Sequence, residues 1–231
     1  MIAVEPVGRP ARALLALLTL ASLGACNMIV TTSPLFEKAD TAGAPQLRPG
    51  LWSQAGPGGE PCNYDPKTPL KAWPECARGF LIKPGEMGGY DTKDGKQVWT
   101  SAEILLAQGD PEVLQLHVTR QNDPDEAADG GPESAYVYIA IHPTETDHGE
   151  IIGYTSWPAR CGPPPPADAV KPDGNARYGT LTPMPGLTMD AKLENCTTTS
   201  QDAVRASAKA SQPWTPPDDI IPSHWVRAGE E

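Results

Sequence analysis

The strictest alternation in the chain runs from Tyr136 to His142: Val137, Ile139 and Ile141 fall on one side, and Tyr136, Tyr138, Ala140 and His142 on the other. A period of two apolar positions marks a strand with one buried face. The stretch Glu112–Arg120 behaves the same way. Leu114, Leu116 and Val118 form the inward face, and Val113, Gln115, His117 and Thr119 the outward one. It follows the apolar run Gln97–Gln108 across Gly109-Asp110-Pro111, a breaker sequence that predicts a hairpin turn. Gly149–Trp157 predicts a further strand, and the link Pro143–His148 between it and the strand before predicts a second hairpin. Phe80–Ile82 reads as a short strand stopped by Pro84. The segment Leu47–Trp52, with a turn signal at Pro49-Gly50, predicts the start of the folded domain, Leu51 and Trp52 entering its core.

The pattern changes near the C-terminus. Thr199 with Asp202 three residues on has the form of a helix-capping pair, and Ala203, Ala206, Ser207 and Ala210 then place small residues on one helical face. Such a face suits close packing on a sheet. Trp225 is expected to dock the chain's end. Gln121–Ser134 is acidic and rich in breakers, an exposed loop, and Pro163–Pro166 reads as a stiff polyproline connector. The 22 glycines and 27 prolines argue against a helical bundle, because proline is costly inside helices. The expected fold class is α+β: a mainly antiparallel β-sheet with long Pro/Gly-rich loops, one C-terminal helix and two disulfides.

The first residues carry a different signal. Arg9 and Arg12 precede an apolar run from Ala13 to Leu23, of signal-peptide length and short of the roughly 20 residues a permanent bilayer-crossing helix needs. Leu23-Gly24-Ala25-Cys26 follows. This stretch resembles the lipobox of bacterial lipoproteins, a resemblance confined to residues 1–26. It implies cleavage before Cys26, a diacylglyceryl group on the Cys26 thiol and acylation of the new amino terminus. Asn27, where an Asp would retain a lipoprotein at the inner membrane, implies the outer membrane, facing the periplasm. The domain organisation expected on this basis is a signal peptide over 1–25, a lipidated Cys26 with a flexible tether over 26–46, and a single periplasmic domain over 47–231.

Without residues 1–25 the chain keeps 16 basic and 28 acidic residues, a net charge of −12. An acidic body has no phosphate-binding surface, so nucleic acid is excluded as a partner. It is also repelled by anionic lipid, so membrane attachment falls to the lipid anchor. Four cysteines remain after Cys26: Cys62, Cys76, Cys161 and Cys196. An even number in an exported chain predicts two disulfides, with three possible connectivities. Pairing nearest partners gives Cys62–Cys76 and Cys161–Cys196. A zinc site would need CxxC-like pairs, and the sequence has none.

Catalytic motifs are absent from the sequence: there is no Gly-x-Ser-x-Gly, no phosphate-binding glycine loop and no His-Glu-x-x-His. Two clusters remain. His142, Glu145, Asp147 and His148 crowd into seven residues and are the candidate metal ligands, more so if His117 pairs across to His142. Tyr136 and Tyr138 share one strand face and could stack on a glycan or protein partner if the helix leaves them uncovered. The function expected is non-enzymatic binding or an accessory role in the cell envelope, with no cofactor. The alternatives are an inhibitor of a periplasmic hydrolase and a metal-dependent hydrolase built on the His142–His148 turn.

Overall fold

The computed structural model describes residues 27–54, 62–93, 96–119, 134–164, 182–190 and 195–229. The strands are β1 (Val30–Thr31), β2 (Gln46–Leu47), β3 (Gly50–Gln54), β4 (Phe80–Lys83), β5 (Glu86–Lys93) and β6 (Lys96–Ala107). They continue with β7 (Glu112–Thr119), β8 (Ser134–Asp147), β9 (Glu150–Pro158), β10 (Thr188–Met189) and β11 (Cys196–Thr197). Helix α1 (Gln201–Ser211) precedes the last strand, β12 (Ile221–Arg227).

Among the described residues, eight strands pair antiparallel in the cyclic order β3-β4-β5-β6-β7-β8-β9-β12, and β12 returns to β3. The sheet is therefore a closed barrel. Successive strands are neighbours throughout, and α1 lies in the long excursion between β9 and β12. The short strands β1 and β2 add to β8 and β9 from outside this ring.

Alternation explains the layering. The inward positions, Trp52, Phe80, Ile82, Met87, Leu106, Leu114, Leu116, Val137, Ile139, Ile141, Ile151 and Tyr154, fill the barrel. Trp52 is fully buried, stacked on Phe80 at 6.1 Å and tilted against Tyr154 at 5.4 Å, and its Nε1 donates to the Arg48 carbonyl at 2.9 Å. An eight-stranded barrel has room for little more than its own side chains. The outward residues of β7 to β9, among them Val113, Tyr138, Ala140 and Trp157, join Ile29, Phe36 and α1 in a second core. A third core, with Leu51, Leu70, Trp73, Ala77 and Leu81, covers the outside of β3 and β4.

Both expected disulfides are formed, Cys62–Cys76 and Cys161–Cys196. The predicted hairpin joins β6 to β7, with Leu106 opposite Leu114. The helix is present but capped one residue later than expected: Ser200 Oγ accepts from the Ala203 amide at 3.2 Å. Its buried face is Ala203, Val204, Ser207, Ala208 and Ser211, whereas Ala206 is exposed and Ala210 half-buried. The small residues bring the helix near enough for Trp157 Nε1 to donate to the Ala208 carbonyl at 2.8 Å.

Two expectations need correction. The flexible tether over 26–46 gives way, from Asn27 onward, to chain built into the body. Ile29 and Phe36 are buried, β1 pairs with β8, and Gln115 bonds the Leu35 and Phe36 amides and the Phe36 carbonyl. Too few apolar residues lie there to make a period, yet Met28, Ile29 and Phe36 are each buried. The second hairpin is formed, but its link is shorter than Pro143–His148, because the strand runs as far as Asp147. β7 has ended by Ile141, so Pro143 interrupts no ladder on that side. The turn is the two residues His148 and Gly149, both left-handed at φ 52° and 83°, as a tight hairpin requires. The expected antiparallel sheet with one C-terminal helix is present and is more specific than expected: it closes on itself, and β5 and β12 are needed to close it. The loop expected from Gln121 and the polyproline run past Pro164 lie outside the described residues, as does Cys26.

Candidate functional site

The face of β8 chosen as a ligand platform is not open. Tyr138 is fully buried, with Phe36 edge-on to its ring at 6.0 Å. Its hydroxyl lies 2.6 Å from Thr31 Oγ1, and Thr31 in turn donates to the Ser33 carbonyl at 2.7 Å. With Thr31's only hydroxyl proton so used, Tyr138 is the donor to it. Burial raises the phenol's pKa. The cover comes from the Thr31–Phe36 segment, so Tyr138 contributes packing and cannot meet a partner. Tyr136 is half-buried, and its ring lies parallel to His117 at 4.6 Å. The register puts His117 opposite Tyr136 rather than His142. His117 Nδ1 sits 3.3 Å from Glu103 Oε2.

The His142–His148 cluster is held differently from a ligand set. Arg48 bridges the two sides of the turn, Nη2 to Asp147 Oδ2 at 2.6 Å and Nε to Glu150 Oε2 at 2.9 Å. Its guanidinium lies 5.1 Å from the centre of the Trp225 ring. The hydrogen bond from Arg48 holds the Asp147 carboxyl below its ordinary pKa. Both histidines are exposed, His148 with its Nε2 3.6 Å from Asp147 Oδ1. Among the described residues no three His, Cys, Asp or Glu side chains are placed to hold a metal ion. The turn is an ion-paired strap over the end of the barrel.

Two features went unread in the sequence. The first is an open groove of about 580 Å³ lined by Ala39, Asp40, Ala42, Gln108, Gly109 and Arg205. Asp40 accepts from the Glu37 amide at 2.8 Å and from Gln201 Nε2 at 3.1 Å. Arg205 lies over the Phe36 ring at 4.8 Å. One fixed carboxylate and one fixed guanidinium face the groove, a pairing able to hold polar groups of either sign. Three distant segments supply these residues, so no local motif marks them.

The second is Glu112. It precedes Val113, which faces outward, and so shares the inward side with Leu114. The side chain is buried and Oε2 has no hydrogen-bond partner among the described residues. Burial pushes the carboxyl up to about 7. Nothing in the alternation warned of it, because the inward position just before Leu114 is the first of the strand.

Fold and surface together define a closed, up-and-down antiparallel β-barrel whose interior is packed with its own side chains, carrying two disulfide-stapled outer layers. Compared with protein-family models, curated proteins and solved structures, the chain matches none.

Proposed function

We propose that this is a lipid-anchored cell-envelope protein, held at the outer membrane through Cys26 and facing the periplasm, that acts by binding another envelope component. The observation that carries the reading is the Leu23–Cys26 motif behind a basic and then apolar leader. Two disulfides in the body accord with an oxidising compartment. Several acyl chains anchor a protein stably, since each buried CH₂ contributes about 0.8 kcal/mol. No helix among the described residues is long and apolar enough to cross a membrane.

The binding surface best supported is the groove between Asp40 and Arg205, since Tyr138 is covered and the Arg48 strap occupies the acidic turn. A protein or glycan partner suits its paired charges. Inhibition of a periplasmic hydrolase is one form this binding could take, and crosslinking in intact cells would identify such a partner. The metal-hydrolase alternative gains no support, because Asp147 is committed to Arg48.

Cys26→Ala tests the anchor. The wild-type chain should fractionate with membranes and yield an acylated amino-terminal peptide. The variant should leave the membrane or persist as an uncleaved precursor. Equal membrane association and processing in both would refute the reading.

A further inference from the structure

We infer that the barrel is clamped to the membrane without a spacer, with the Cys161–Cys196 flank toward the lipid and the Cys62–Cys76 flank away from it. The inference rests on the lipid anchor at Cys26. Consecutive Cα atoms are about 3.8 Å apart whatever the chain's conformation, so the acylated residue cannot stand off from Asn27. Asn27 is itself fully buried. Its Nδ2 donates to the Gly162 carbonyl at 2.9 Å, and its own carbonyl accepts from the Cys161 amide at 2.9 Å. The next two residues continue the grip: the Met28 carbonyl accepts from the Cys196 amide at 3.1 Å, and the Ile29 amide donates to the Ala159 carbonyl at 3.1 Å. The disulfide ties together the two segments that hold this strand. A tether over 26–46 would instead have allowed a reach of about 25 Å.

Orientation follows from the ring order. Residues 27–31 lie against β8 and the end of β9. β4 stands four places from β8 in the eight-membered ring, hence on the opposite side. The layer over β3 and β4 carries Trp73 and, beside it, Cys62. Packed layers lie about 10 Å apart, which puts the two outer layers on the order of 30 Å from one another.

The test uses the full lipidated chain in phosphatidylethanolamine–phosphatidylglycerol vesicles carrying an energy-transfer acceptor on the headgroup. A genetically encoded donor is placed at Thr199 or at Glu75, both exposed. Transfer should be stronger from Thr199, and a Gly-Ser spacer of about 20 residues inserted after Cys26 should abolish the difference. Equal transfer from the two positions without the spacer, or stronger transfer from Glu75, would overturn the inference while leaving the anchor intact. A chain recovered soluble with an unmodified Cys26 would instead remove the anchor, and this inference with it.

Discussion

Glu112→Gln should make the protein more stable at alkaline pH and flatten its stability profile. The carboxyl is about 7 in the folded protein against an ordinary value of 4.5. Between these values the folded state holds a proton that the unfolded state has released, so stability falls as pH rises. The favourable contribution is complete below about 4.5 and lost above about 7. A shift of this size has a ceiling of about 3 kcal/mol at 1.36 kcal/mol per unit. Relaxation and water entry around the newly charged carboxylate reduce this, so about 1–2 kcal/mol is the working figure. The assay is urea unfolding with disulfides intact, from pH 4 to 8.5, for wild type and variant. Other titrating groups cancel in the difference between the two curves. The amide leaves its own unpaired NH₂, but that cost does not vary with pH. The difference should favour the variant progressively from pH 4.5 to 8. Parallel profiles would refute the assignment of Glu112 as a charge-averse group.

Replacing Cys161 and Cys196 together with serine should cost about 3–4 kcal/mol in the chain-entropy account and raise hydrogen exchange in α1, read by urea unfolding and mass-spectrometric exchange. Gly50→Ala should destabilise by about 2 kcal/mol or more in thermal melts, because φ is 133° and a Cβ there would meet the Arg227 carbonyl at 2.4 Å. Tyr138→Phe should cost about 1 kcal/mol through the lost bond to Thr31, with no effect on partner capture, whereas an exposed ligand platform would lose capture and keep stability.

The parts of the fold that could be read from the sequence were those where alternation survives the residue types. β7 and β8 show it because Leu, Ile and Val fill the inward positions. β5 hides it: Gly88 and Gly89 interrupt the pattern, and Gly88 is small because the Trp99 ring lies where its Cβ would be. β12 hides it as well, since its inward residues are Ser223 and Trp225 and Pro222 reads as a breaker. Proline is accepted there opposite Thr155, at the strand's start, before pairing with β3 begins. The amino-terminal segment reads as a tether because Ile29 and Phe36 are single anchors rather than a period. The same segment is what removes Tyr138 from the surface, so the domain boundary and the openness of that face depend on one another. The groove and Glu112 depend on contacts between distant segments and on a position at a strand end, neither of which local pattern records.

Because β12 is the last strand of the ring in chain order and pairs with both β9 and β3, the barrel stays open until that strand is in place. Seven strands can be assembled while β3 and β9 still present unpaired backbone edges, and such edges recruit other chains. Closure must await synthesis of Ile221–Arg227, and it joins residues separated by most of the body's length, a slow kind of pairing. The vulnerable period of this protein's life is therefore the interval between completion of β9 and arrival of Ile221–Arg227. A truncation ahead of Ile221 should yield an aggregating or degraded species rather than a slightly weakened one.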